Sequence, residues 1–286
     1  MPPDRRLSIV TLNTWKGDGE YRVRLRLMAE GLAALDADII LLQECFSVKG
    51  GEENTAQHLA ATLGLNGFYQ PVREKRRVFD GKEVSTFSGL AVLSRFASEP
   101  VGAIELPSDP ADGQRAAQFI SVDADGGSSG GAPILIANTH LTHLPEADDL
   151  RTKQMQTIVK RIREDQGHGT VVLGGDFNAT PDKPVIRWLT GLRNLRAIDA
   201  GAAGAGNKPK PTKLEKEGEY QGKAIRRLDY LFLINRVPQP QYSIVSSDVV
   251  LDKPDPLTGL FPSDHAAVRV VLRPISGSDL APPRRG

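Results

Sequence analysis

Asp176 and Asn178 stand two residues apart behind Val171, Val172, Leu173, Gly174 and Gly175. On an extended backbone that spacing puts a carboxylate and a carboxamide on one face, about 6–7 Å apart. A carboxylate takes a proton from water and a carboxamide orients an oxyanion, so the pair suits a hydrolytic centre. The same pattern also serves turns and helix caps, and Pro181 fits a helix starting nearby, so partners elsewhere must decide. Other apolar runs meet polar residues in the same way. Residues 7–12 run into Asn13, 38–43 into Glu44 and 133–137 into Asn138 and His140; Asp229 and Ser263, Asp264 and His265 flank the late runs. Each has an ordinary explanation when taken singly. Glu44 suits a solvated strand end, His140 a core histidine bonded to a carbonyl, Asp264 and His265 a cap, and Asp229 a partner for Arg226 or Arg227. Together they exceed what packing requires, because core strands end in turn formers more than in Glu and His.

The elements that must carry these residues follow from hydrophobic periodicity. Leu25, Met28, Leu32 and Leu35 recur at spacings of three and four, predicting a helix over 21–35 with Arg22, Arg24, Arg26 and Glu30 on its wet side. With strands at 7–12 and 38–43 this makes a βαβ unit whose strands end at one edge. A second helix is expected at 54–63, then strands at 88–94, 101–106, 115–122 and 133–137, with an exposed hairpin loop at 125–131. A helix over 147–164, the strand leading to Asp176, and a short helix at 184–192 come next. Residues 200–222 are poor in apolar side chains and read as a mobile surface loop. Strands at 228–234, 242–250 and 266–272 finish the pattern, and 274–286 reads as a disordered tail. Two successive blocks of strands with helices between them predict one α/β domain over 1–273, its two sheets face to face.

Composition narrows the partners. Lys and Arg total 36 against 35 Asp and Glu, a formal charge of +1, so no global field draws the chain to a polyanion; a local patch would have to do so. The single Cys45 leaves no intramolecular disulfide, and no apolar run reaches signal-peptide or membrane-spanning length. These observations predict a soluble, cytoplasmic protein without stable membrane insertion, and no partner protein is inferable.

Six short blocks carry a resemblance. They are Thr11-Leu12-Asn13-Thr14-Trp15, Leu42-Gln43-Glu44, Asn138-Thr139-His140-Leu141, Gly175-Asp176-Phe177-Asn178, Arg227-Leu228-Asp229-Tyr230 and Ser263-Asp264-His265. In order and rough spacing, over about residues 7–272, the chain resembles the endonuclease/exonuclease/phosphatase superfamily, the DNase I-like metal-dependent phosphoesterases. That resemblance implies a four-layer α/β/β/α sandwich, two mixed sheets packed face to face with helices outside and the site at the sheet ends. It implies Glu44 as principal metal ligand with Asn13 and Asp264 supporting, and Asp176 and Asn178 aligning and activating the attacking water. It further implies His265, oriented by Asp229, as phosphate contact or base, His140 as phosphate stabiliser or leaving-group acid, and Arg115 as a phosphate-contacting arginine. Hard oxygen ligands without a cysteine cluster suit Mg²⁺ or Mn²⁺ better than structural zinc. Some relatives pair the histidine placed at His140 with a glutamate; here Glu74 and Glu83 both remain open.

The substrate is less legible, because nucleases, inositol-polyphosphate phosphatases, sphingomyelinases and tyrosyl-DNA phosphodiesterases share this catalytic set. Arg73, Lys75, Arg76 and Arg77 form a basic cluster read as lying just before a strand, and Lys208, Lys210, Lys213, Lys216 and Lys223 form another. Such clusters grip phosphate backbones, yet the interleaved Glu74, Glu215, Glu217 and Glu219 suit a solvated loop equally. The segments at 13–15, 138–143 and 256–265 look similar to neutral sphingomyelinases, with Leu257, Leu260 and Phe261 as an apolar rim, while 13–19 is also similar to the tyrosyl-DNA phosphodiesterase opening. The expectation is a divalent-metal phosphoester hydrolase, foremost a phosphodiesterase, its substrate a nucleic acid, a phospholipid headgroup or a small phosphate. The alternatives are a structure-selective nuclease, a lipid or inositol-phosphate headgroup phosphoesterase, and a non-catalytic binding protein on the same fold.

Overall fold

The computed structural model describes residues 6–124, 132–203, 209–215, 222–236 and 241–275. The expected hairpin loop at 125–131 and the tail beyond 275 lie outside these residues, as do 204–208 and 216–221 of the expected loop.

The first half of the chain runs β1 (Leu7–Asn13), α1 (Tyr21–Leu35), β2 (Ile39–Val48), α2 (Thr55–Leu63), β3 (Asn66–Phe79) and β4 (Lys82–Ser94). Then follow β5 (Ser98–Leu106), β6 (Arg115–Val122), β7 (Ile134–His140), α3 (Asp148–Glu164), β8 (Thr170–Asp176) and α4 (Pro184–Gly191). The last part adds β9 (Ala197–Asp199), α5 (Ala200–Ala203), β10 (Lys213–Leu214), β11 (Ala224–Arg226), β12 (Asp229–Asn235), β13 (Tyr242–Val250) and β14 (Ala267–Pro274). One sheet has the order β13-β14-β1-β2-β4-β3 and the other β5-β6-β7-β8-β12-β9. Both are mixed: β1 runs parallel to β2 and β7 to β8, and the remaining neighbours within them are antiparallel.

Period-2 alternation gives the layers. Leu7, Ile9, Ile39 and Leu41 pack in one core with Ile134, Ile136, Val172, Leu231 and Leu233, so the two sheets lie face to face. The alternate residues Val10, Leu12, Ile40 and Leu42 pack beneath Leu25, Met28 and Leu32 of α1 and Leu59 of α2. On the far side, Leu135, Val171 and Leu173 meet Met155, Ile158 and Ile162 of α3 and Val185 and Leu189 of α4. The result is the four-layer α/β/β/α sandwich, with its strands apolar on both faces because both faces are covered.

Three elements differ from the sequence reading. Arg24 does not face water: it is 1% exposed, because its position three after Tyr21 and four before Met28 puts it on the apolar stripe of α1. Arg73 to Arg77 do not precede a strand but lie within β3, which pairs with β4 along its length and forms the sheet edge, where charged side chains are tolerated. Glu44 does not close β2; the strand continues to Val48, and Glu44 sits at a register shift with φ 55°. Such a bulge leaves one residue out of the ladder and turns its side chain to a new direction. The far tip of the β3–β4 hairpin is held by Phe79, whose ring lies 5.9 Å from Tyr21 and 4.9 Å from Phe46.

The inter-sheet space changes character along the strands. Beyond the apolar layer lie the buried Thr11, Gln43 and Asn138. Gln43 Nε2 donates to Thr11 Oγ1 (3.0 Å) and Asn138 Oδ1 (2.8 Å), and Asn138 Nδ2 donates to the carbonyls of Leu42 and Ala91. One step further come Asn13, His140, Asp176 and Asp229, the last three side by side in one register row. Gly175 makes that row possible. Its φ is +136°, and an added Cβ would fall 1.9 Å from the Thr139 carbonyl oxygen. Gly175→Ala is therefore expected to cost at least about 2 kcal/mol of unfolding free energy in a denaturant titration. Gly167→Ala, whose added Cβ meets no atom within 4 Å, serves as the near-neutral control.

Candidate active site

Asn13, Glu44, Arg115, His140, Asp176, Asn178, Asp264 and His265 line one cleft of about 240 Å³ at the sheet ends. Asp229 lies behind them, fully buried, against His265. Side chains from β1, β2, β6, β7, β8 and the turn before β14 thus converge where the two sheets meet.

Asp176 is the hub. Its Oδ1 accepts from the Asn178 backbone N–H (2.9 Å) and its Oδ2 from Asn13 Nδ2 (3.0 Å), a bond that crosses from one sheet to the other. His140 Nε2 and His265 Nε2 lie 3.5 and 3.7 Å from the same Oδ2. Burial, and then the nearby Asp229 charge, push the Asp176 carboxyl up to about 6, into the range of a base that works near neutrality.

His265 Nδ1 donates to Asp229 Oδ2 over 2.8 Å. Burial alone would lower its affinity for a proton, but Asp229 and Asp176 outweigh that and carry it up to about 9. His265 is therefore an imidazolium at neutral pH. Asp229 thus pairs with His265, while Arg227 binds Asp199 and Arg226 binds Glu215.

His140 is its opposite. Asn178 Nδ2 donates both to the Leu141 carbonyl (3.0 Å) and to His140 Nε2 (2.9 Å). The carbonyl fixes the amide orientation, so Nε2 is an acceptor and the neutral ring carries its proton on Nδ1. Burial, then the charges of Arg115, Lys16 and His265, hold its pKa well below the ordinary histidine value. Its Nδ1 lies 3.9 Å from Glu44 Oε1. Neither glutamate left open by the sequence fills that place: Glu74 binds Lys49 and Ser85, and Glu83 binds Arg76.

Arg115 is clamped by Asp112, its Nε and Nη2 donating to the two carboxylate oxygens over 2.8 and 2.6 Å, with His143 Nδ1 2.6 Å from Asp112 Oδ1. Burial alone would raise the Asp112 carboxyl, but hydrogen bonds from His143 and Arg115 hold it well below the usual carboxylate range. Lys16 Nζ lies 2.9 Å from Glu44 Oε1 and Lys213 Nζ 2.5 Å from Asp264 Oδ2.

Arg24, Lys16, Lys213, Asp112 and His143 were not among the expected site residues. Arg24 donates to the carbonyls of Thr14, Trp15, Lys16 and Asp18 in one loop and of Pro262 in another, and its guanidinium stacks 4.5 Å from Trp15. An arginine on the apolar stripe of a helix was the available signal. Lys213 comes from the segment read as a mobile loop; there Thr212 is fully buried and accepts from the Leu228 and Asp229 N–H groups. Leu257, 91% exposed, Leu260 and Phe261 are not among the residues that line the cleft.

For a divalent cation the donor chemistry fits. Glu44 opens onto the cleft beside Asn13 and Asp264, all hard oxygen donors, while Cys45 points away into the core under α1. Asp176, Asp229 and His265 also lie close enough together to share an ion, but His265 Nδ1 is already committed to Asp229.

A model of the Endonuclease/Exonuclease/phosphatase family matches residues 10–279. Solved structures with the same fold include an endonuclease/exonuclease/phosphatase from Bacteroides vulgatus, with a TM-score of 0.68 at 19% identity, covering 95% of this chain and 100% of that one. A humanized D. rerio TDP2 gives 0.67 at 17% identity, covering 94% and 99%. The human Nocturnin catalytic domain with bound sulfate anion gives 0.67 at 19%, covering 94% of each chain. In sequence, protein angel homolog 1 of Homo sapiens is 30% identical over 63 residues, 20% of this chain; the matched stretch spans 9% of that relative's length.

The His265–Asp229 pair has a measurable signature. In the metal-free protein, an NMR titration of His265 is expected to show a midpoint near pH 9, and Asp229→Asn is expected to bring it to or below about 6.5. Because the folded pKa is raised, the stabilisation is full below about pH 6.5 and is lost as pH rises through 9. The stability gap between parent and variant should narrow over that window.

Proposed function

This chain belongs to the endonuclease/exonuclease/phosphatase family, and from that premise we propose that it is a divalent-metal-dependent phosphodiester hydrolase. The observation that carries the reading is the convergence of Glu44, Asp176, Asn178, His140 and His265 on one cleft, with His265 held by Asp229 and its Nε2 3.7 Å from Asp176 Oδ2.

Glu44 would hold Mg²⁺ or Mn²⁺, with Asn13 and Asp264 in support. When bound, the ion would supply Lewis-acid polarisation of a phosphoryl oxygen. Asp176 takes the proton of the attacking water, held in place by Asn178 and Asn13. Asn178 also fixes His140 through its carboxamide, so one residue sets the Asp176 carboxylate through its backbone N–H and the ring orientation through its side chain. His265, whose protonated form Asp229 and Asp176 favour, stabilises charge gathering on the phosphoryl oxygens. His140 is neutral, so its Nδ1–H donates a hydrogen bond to the phosphate or the departing oxygen without giving up a full proton. Arg115, fixed by Asp112, adds a guanidinium to the same wall. A sulfate bound to the Nocturnin domain shows that one relative of this fold accepts a tetrahedral anion.

Bis-p-nitrophenyl phosphate, abasic DNA, sphingomyelin, inositol phosphates and mononucleotides, each with Mg²⁺ or Mn²⁺ and then with EDTA, form the test. Turnover of a diester that EDTA abolishes is the expected result; a folded protein that cleaves none of them refutes the reading. Asp176→Ala and His265→Ala should each lower kcat by about two to four orders of magnitude. Glu44→Ala should raise the metal concentration needed for half-maximal rate; saturation at the parent's concentration would remove Glu44 from the ligand set.

A further inference from the structure

The cations around the cleft fall into two groups. Lys16, Lys213, Arg115 and Arg77 are each held by a carboxylate: Glu44, Asp264, Asp112 and Asp18 respectively. Arg73 and Lys75 are not. Among the described residues, neither side chain has a hydrogen-bond or ion-pair partner, although Arg73 lines the cleft that holds His140 and Asp176. Alternation on β3 puts Arg73 and Lys75 on one face, about 6–7 Å apart, and a fixed strand gives that spacing little freedom.

The seat of Arg73 is shaped for it. The turn before Arg115 passes under the guanidinium at Gly113, where φ is +82° and an added Cβ would fall 2.7 Å from Arg73 Nε. Burial, and then repulsion from Arg115, lower the proton affinity of Arg73, while Asp112 and Glu44, each already paired with another cation, offset part of that. Lys75 is lowered chiefly by Arg73. Arg73 puts a guanidinium without an ion-pair partner on the wall of the cleft, exposed Lys75 follows it on the same strand face just outside the lining, and a guanidinium fork matches phosphate oxygens in pairs.

We propose that Arg73, with Lys75 beside it on β3, forms a second anion subsite that takes a phosphate adjacent to the scissile phosphoester. The proposal rests on the hydrolytic reading for what lies next door, and it names the substrate class: molecules carrying two neighbouring phosphate groups. A polynucleotide and a small bisphosphorylated molecule share that chemistry.

Calorimetric titration of the full chain in EDTA, comparing thymidine 5′-monophosphate with thymidine 3′,5′-bisphosphate, tests it without turnover. The parent should bind the bisphosphate at least about ten-fold more tightly, the worth of one charge-assisted contact. Arg73→Gln should bring the two ligands to within about two-fold, and Lys75→Gln should give an intermediate ratio. Equal affinities in the parent, or an unchanged ratio in Arg73→Gln, overturn the subsite. Decathymidylate separates the sources: a further gain over the bisphosphate, eroded by salt, assigns a polynucleotide, and no further gain assigns a small molecule. Selective binding by a protein that cleaves no phosphoester would remove the hydrolytic reading and leave the subsite. Hydrolysis without selectivity would do the reverse.

Discussion

Two sheets packed face to face bury hydrocarbon along most of their length, but at one end of this sandwich they bury charge. Asp176 is 1% exposed, and an ionised carboxylate taken out of water costs several kcal/mol unless donors replace the lost hydration. The Asn13 amide and the Asn178 N–H supply them, one from the opposite sheet and one from the turn that Gly175 permits. The remaining tension raises the Asp176 carboxyl and, through Asp229, keeps His265 charged. Stability and reactivity therefore draw on the same contact. The Thr11–Gln43–Asn138 layer beneath makes the transition gradual, with neutral polar groups between the hydrocarbon and the Asp176 carboxylate.

A second constraint is the burial of Arg24. Its guanidinium is satisfied by backbone carbonyls instead of by a carboxylate, and those carbonyls belong to the loop after β1 and the turn before β14. Asn13 leads into the first and Ser263, Asp264 and His265 lie in the second; Ser263 Oγ adds a direct bond to the Asn13 carbonyl, 2.6 Å long. One helix position thus fixes the distance between residues some 250 apart in sequence.

Much of this was legible in the chain. Residues ending long apolar runs, such as His140 and Asp176, could be placed because burial on both faces leaves an unbroken hydrophobic signature that stops where the strand meets the cleft. The helix over 21–35 was legible as a helix but not in its details, since periodicity says which face is apolar and not that an arginine will be satisfied within it. β3 escaped because an edge strand half in water carries the composition of a loop. Lys213 escaped for a related reason: the buried Thr212 beside it is one side chain in a segment otherwise poor in apolar residues. The bulge at Glu44 has no compositional mark, because its positive φ is imposed by the register of β2 against β4. Glu74 and Glu83 both stood open as companions of His140, and Glu44 was not considered, because proximity across strands depends on pairing.

The aromatic contact of Phe79 with Tyr21 and Phe46 secures the free end of the β3–β4 hairpin to α1, and Arg22 adds an ion pair to Asp80 at the tip. The cleft wall formed by this hairpin is thus braced at both ends before anything arrives. Little conformational entropy is left to lose on capture, and no gating motion of this wall need precede it. Encounter should then proceed at a rate set by diffusion and long-range attraction, and ionic strength should alter how often molecules arrive more than how long they stay.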